Sequence, residues 1–209
     1  MELSTWLTFF AASWAISISP GPGAIAAMSA GLNHGFRFGC VTIVGLILGI
    51  WSQLLIVGVG LGALISTSAT AFAVVKWFGV AYLVWLGIAQ WRAPARPMVA
   101  VADAKEAVTQ RQLVVRAWMI NVVNPKGTVF LLAVVPQFIQ LSQPLLPQYV
   151  AIGLTLAFTD MVVMAGYTAL AAKVLGALKE PGHIRAMNRT FGGLFVLAGS
   201  ALALFKRGV

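Results

Sequence analysis

Charge is scarce in this chain: Asp, Glu, Lys and Arg make up 9% of its 209 residues, where a soluble domain carries roughly a quarter. No hydrophilic shell for a water-soluble globule can be built from so few groups. One cysteine, Cys40, excludes an intramolecular disulfide, a CxxC redox pair and a cysteine-based zinc site, and it reads as core filler. The two histidines, His34 and His183, lie far apart in expected loops without companion ligands, so no metal site is expected. The phosphate-cradling GxxxxGK[ST] pattern is absent, which argues against ATP hydrolysis within the chain. Nothing in the sequence calls for a cofactor. A net charge of +9 raises nucleic acid as a partner, but the basic residues are scattered through short connections and form no continuous stripe.

What the chain has instead is apolar length, with 60% of its residues hydrophobic. No Asp, Glu, Lys or Arg occurs from Leu3 to Phe36, from Phe38 to Val75 or from Gly127 to Thr159, and each run is long enough to cross a bilayer. The first run follows only Glu2 and outlasts a signal-peptide core, so it reads as a retained span. The pattern predicts an all-α integral membrane protein with six transmembrane helices, near residues 5–31, 38–65, 71–91, 113–139, 147–172 and 188–206. Together they are expected to form a single transmembrane domain: one repeat over about 1–91, a polar loop over about 92–112, and a second repeat over about 113–209. Arg37 in the first connection, Arg92, Arg96, Lys105, Arg111 and Arg116 around the central loop, and Lys173, Lys179, Arg185 and Arg189 after helix 5 mark those segments as cytoplasmic. The uncharged 141–146 connection then faces outward and both termini lie outside, an orientation against which Lys206 and Arg207 count. Trp6, Trp77, Trp91 and Trp118 fall near helix ends, as in an interfacial aromatic belt, with Trp14, Trp51 and Trp85 deeper. Lys76 near a helix end is able to snorkel.

The two halves correspond. Ser19-Pro20-Gly21-Pro22-Gly23 in helix 1 and Asn124-Pro125-Lys126-Gly127 in helix 4 each interrupt a span near its middle, since proline lacks an amide hydrogen and clashes with the preceding turn. Phe78-Gly79-x-x-Tyr82-Leu83-Val84 in helix 3 matches Phe191-Gly192-x-x-Phe195-Val196-Leu197 in helix 6. With an odd number of helices per half, the second half enters from the opposite side, so the expected architecture is a 3+3 inverted repeat with helices 1 and 4 broken. Unpaired backbone at membrane depth survives only against protein or a water-filled cavity, which brings the two breaks together around a shared site. Half-helices starting near Ala24 and Lys126 would aim amide hydrogens and positive dipole ends at it, suited to a carboxylate. Taken singly, each break reads equally as a packing kink.

Asp160 is the one acid expected deep in a span, at a cost of about 2.5 to 3.5 kcal/mol on insertion scales, and is the candidate proton-coupling group. Lys126 is the matching cation. Thr159 adjoins Asp160 and Tyr167 lies two turns further on the same face, both offering hydroxyl donors. A structural Asp160 to Lys126 ion pair is the plainer alternative. Ser17, Ser19, Gln53, Asn121 and Asn124 read as groups that cap or bridge helices, with Ser19, Asn121 and Asn124 also placed at the site. Gly45 and Gly49 permit close helix contact within the chain or with a second copy, leaving room for a homodimer.

On the two proline motifs, Leu32-Asn33-His34-Gly35, Gly58 to Gly62, Lys76 to Trp91, Pro136-Gln137-Phe138 and Asp160, the chain resembles the LysE/RhtB superfamily of bacterial amino-acid exporters over nearly its whole length, above all the branch that handles homoserine and homoserine lactone, whose relatives handle threonine. The resemblance implies efflux of small neutral amino acids across a bacterial inner membrane against protons, and it matches Pro20, Gly21, Pro22, Asn124, Pro125, Lys126 and Asp160 to the family pattern. Two other classes stay open at this point: an intramembrane enzyme or redox carrier, against which lone Cys40 and the dispersed histidines speak, and a membrane scaffold that transports nothing.

Overall fold

The computed structural model describes residues 3–65, 69–95, 108–140, 142–177 and 179–204. Among them the elements are all helical: α1 (Leu3–Ile18), α2 (Pro22–His34), α3 (Phe36–Ile65), α4 (Ala69–Arg92), α5 (Gln110–Val122), α6 (Pro125–Phe138), α7 (Leu145–Ala169), α8 (Ala171–Ala177) and α9 (Pro181–Leu204). Arg96, Asp103, Lys105 and Glu106 of the expected central loop, and Lys206 and Arg207 at the end, lie outside the described residues, as does the Lys76 side chain.

Local chemistry explains the boundaries. Pro22 opens α2 and Pro125 opens α6, positions where a missing amide hydrogen costs nothing. Gly35 closes α2 at φ +92°, a left-handed conformation that glycine adopts freely. The α5 helix begins at Gln110, ahead of the expected 113, because Thr109 and Gln112 form a capping box that holds the first turn. The Gln148 side chain binds both the amide and the carbonyl of Gln140, at 2.8 and 2.9 Å, and thereby fixes the turn from α6 into α7. Two boundaries differ from the hydropathy reading: α8 is a separate short helix, and α9 starts at Pro181, seven residues before the expected 188. The early turns of α9 carry His183, Arg185 and Arg189, so an apolar window starts too late to find them.

Among the described residues, α3 and α7 are long and apolar enough to cross a bilayer alone, and α5 with α6 meets the same requirement as a pair bent by 56°. The surface agrees with a lipid setting, since large apolar side chains such as Leu55 (69% exposed) and Val59 (71% exposed) face outward while Ser13, Ser17, Gln53, Thr159 and Asp160 are buried.

Packing crosses between the halves. The α3 helix lies against α5 and α6, α7 lies against α1 and α2, and α4 packs along α9. One apolar cluster gathers Phe9, Leu54, Leu83, Phe130, Phe138, Leu156 and Phe195, and another gathers Ala27, Met28, Ile43, Leu46, Ala117 and Met164. Glycines set the closest approaches. A Cβ at Gly49 would sit 2.6 Å from the Asn121 Cβ, and one at Gly45 would sit 2.8 Å from the Ala117 Cβ, so this glycine pair serves α3 against α5 within the chain. The α4 to α9 crossing is equally tight, because a Cβ at Gly192 would lie 2.6 Å from the Gly87 carbonyl oxygen, which is backbone and cannot yield. Gly192→Val is therefore expected to cost about 1–3 kcal/mol by overpacking, read as a drop of several degrees in the unfolding temperature of the detergent-solubilised protein; an unchanged temperature would show that the crossing gives way freely.

Candidate functional site

The α1 helix runs out at Ile18, which leaves its last carbonyls without helical donors. Two side chains from the other half supply them. The Tyr167 hydroxyl of α7 donates to the Ile18 carbonyl, and the Lys126 ammonium of α6 donates to the Ser19 carbonyl at 2.6 Å. Lys126 thus spans from the second break to the first, its stem passing Gly21 and its ammonium lying 5.9 Å from the Phe195 ring centre.

The second break is satisfied within its own surroundings. The Gln53 amide nitrogen from α3 reaches the carbonyls of Asn121 (2.8 Å) and Asn124 (3.1 Å) and the Thr128 hydroxyl (2.8 Å). Asn121 donates in turn to the Leu46 carbonyl at 2.7 Å, and Asn124 caps α6 by accepting from the Lys126 amide at 3.1 Å. The start of α2 is different. Gly21 is its N-cap and no side chain caps it, while Gly23 and Ala24 from its first turn face a cavity.

That cavity, of about 80 Å³, lies where the two breaks meet. Ser17, Ser19, Gly21, Gly23, Gln53, Asn121, Asn124, Lys126 and Asp160 line it together with the apolar Ile16, Leu46, Ile50, Phe130, Leu131, Leu156 and Met164. Asp160 is 8% exposed and faces Lys126 across it, the two charges coupled through space. The hydrogen bond made by the ammonium goes to Ser19 and not to the carboxylate. Opposite charges in a small, largely apolar chamber are worth far more than in water.

Of the residues expected at the site, Ser19, Gly21, Gly23, Asn121, Asn124, Lys126 and Asp160 reach the cavity, whereas Pro20, Pro22 and Pro125 are not among its walls; Pro22 borders a separate groove beside Ile25 and Ala26. The prolines end the helices and leave the lining to their neighbours. The hydroxyls expected beside Asp160 turn toward α1 instead: Thr159 pairs with Ser17 at 3.2 Å and Tyr167 holds Ile18. Gln53 is more central than its lone position in an apolar run suggested, because its four acceptors, on Asn121, Val122, Asn124 and Thr128, come from α5, α6 and the residue that caps α6. Gln53→Leu removes this bridge from α3, while the Asn121 and Asn124 carbonyls keep their backbone donors, and is expected to cost about 0.5–1.5 kcal/mol of stability, lowering the unfolding temperature and transport together while the order of substrate preference stays put; a changed order would place Gln53 in contact with substrate.

Residues 14–205 match the model of the LysE type translocator family. Two homoserine/homoserine lactone efflux proteins, from Salmonella typhimurium and Salmonella typhi, are 43% and 42% identical over 203 residues, which covers 97% of this chain and 98% of each relative. An uncharacterized membrane protein of Vibrio cholerae is 40% identical over 206 residues, 99% of this chain and all of that protein. No solved structure matches the chain.

Proposed function

We propose, from the premise that the chain belongs to the LysE type translocator family, that this membrane transporter carries small neutral amino acids of the homoserine, homoserine lactone and threonine class out of the cell. It works as a proton antiporter in a bacterial inner membrane. The observation that carries this reading is the cavity between the breaks, where an acid, a base and an uncapped helix N-terminus meet. A zwitterion needs those three things. Its carboxylate goes to the free amides of the α2 start and to Lys126, its ammonium to Asp160.

The cycle follows from charge. Facing the acidic exterior, Asp160 takes a proton and releases the ammonium; facing the cytoplasm it gives up the proton and binds again. For a neutral zwitterion one positive charge enters per cycle, worth roughly 2.3 kcal/mol per 100 mV, or nearly two decades of concentration ratio. Six spans in a 3+3 inverted repeat supply the movement, α1–α2 and α5–α6 each counting as one broken span. The exchange of partners between α3 and α7, each packed on the broken pair of the other half, supports that arrangement.

A counterflow panel in proteoliposomes with homoserine, threonine, leucine, lysine and homoserine lactone tests the reading. Homoserine should exchange fastest, its lactone and threonine more slowly but ahead of leucine and lysine, and a pH step should drive them toward the acidic side. Equal rates for all five, or indifference to the step, would overturn the substrate class or the coupling respectively.

A further inference from the structure

We propose that in the unloaded carrier the Lys126 ammonium occupies the subsite of the substrate's own ammonium, so that loading exchanges one cation for the other at the Ser19 carbonyl. The inference deepens the export reading and rests on it. The Ser19 carbonyl belongs to the stretch between α1 and α2, beyond the last helical donor, and sits at the negative end of α1. That makes it a natural cation acceptor. Lys126 holds it at 2.6 Å, while the neighbouring Ile18 carbonyl is already held by Tyr167 from outside the cavity wall. Of these two acceptors, therefore, only Ser19 faces the chamber that Asp160 also faces.

Space points the same way. The Lys126 ammonium and the Asp160 carboxylate share one cavity with Ser19, so a ligand ammonium reaching the Ser19 carbonyl meets the lysine head already bound there. Moving the ammonium off Ser19 frees room at the spot where a primary ammonium finds a carbonyl and a carboxylate together. The displaced head has somewhere to go when the ligand is a zwitterion, because the ligand's carboxylate, seated at the uncapped start of α2, lies near the Gly21 backbone that the Lys126 stem already passes. A ligand with an ammonium but no carboxylate offers no such exchange. Lys126 would then be a specificity residue that favours zwitterions over amines such as an α-amino lactone.

Binding of homoserine and of protonated homoserine lactone to the full chain in nanodiscs, before and after Lys126→Met, tests the exchange. The neutral side chain fills similar volume but neither competes for Ser19 nor pairs with a carboxylate. Lactone affinity is expected to rise about tenfold and homoserine affinity to fall about tenfold, the scale of one charge-assisted hydrogen bond gained or lost. Lys126→Gln should repeat the inversion if Met disturbs folding. Wild-type binding with both ligands weakened alike, or neither altered, in the two variants overturns the exchange and leaves export standing; a wild-type chain that binds neither ligand overturns both.

Discussion

Asp160→Asn is expected to abolish pH-driven export while leaving the protein folded. Truncating one partner of a buried charge pair typically costs about 2–5 kcal/mol, so substrate affinity should fall by roughly thirtyfold or more. Loss of coupling is more absolute, because an amide cannot take up and release a proton in this range. Folding should survive because Asp160 faces the cavity and, through space, Lys126, and closes neither a helix end nor a turn. The measurements are flux under an imposed pH step in proteoliposomes and thermal unfolding in detergent. Wild-type flux from a folded variant would remove this acid from the centre of the mechanism, and unfolding alone would make the pair structural.

Asp160 and Lys126 were legible in the sequence for a physical reason: ionised groups are costly at membrane depth, so a lone acid and a lone base within long apolar runs stand out. The helix ends at Ile18 and Val122 were legible because proline and glycine act through the backbone whatever surrounds them. What binds Lys126 was not, since the Ser19 carbonyl is backbone and carries no residue-type signal. Leu46, Leu156 and Met164 were equally hidden, because a side chain on the cavity wall has the same composition as one facing lipid. The hydroxyls of Thr159 and Tyr167, near Asp160 along α7, bond to α1 instead, for helical spacing fixes which residues share a face and says nothing of which helix lies opposite.

The two breaks also turn out to do different work, which their similar motifs conceal. At the second, the polar groups are consumed locally: Gln53 takes the carbonyls and Asn124 takes the amide. At the first, Gly21 stands where Asn124 stands in the other half and offers no side chain, so no side chain caps the α2 amides and the carbonyls rely on Tyr167 and Lys126 from across the interface. In the proposed carrier, substrate binding accordingly concentrates at the first break. Rigid support comes from the second, and Lys126 joins them.

In the proposed cycle the same asymmetry points to where the halves part. The α1 to α7 seam is closed by the Trp6 indole donating to Thr155 at 3.0 Å, by Phe10 and Trp14 against Phe158, and at the cavity by Ser17 with Thr159. Each contact joins the first half to the second, so rocking of one against the other has to open or shear this seam. Ser17→Cys with Thr159→Cys, in a chain whose Cys40 is replaced by Ser, places two thiols where hydroxyls now lie 3.2 Å apart, near enough for a disulfide. Oxidation is expected to bring flux to background, and reduction to restore the rate that the double variant had before oxidation. Binding measured on the cross-linked protein separates the two ways this can happen: retained binding with no flux means the carrier is locked while its site stays intact. Cross-linked protein that transports at its unoxidised rate would show that α1 and α7 move as one body, and the moving boundary would then have to run along α3 and α5 instead, where Gly45 and Gly49 hold the helices at their closest approach.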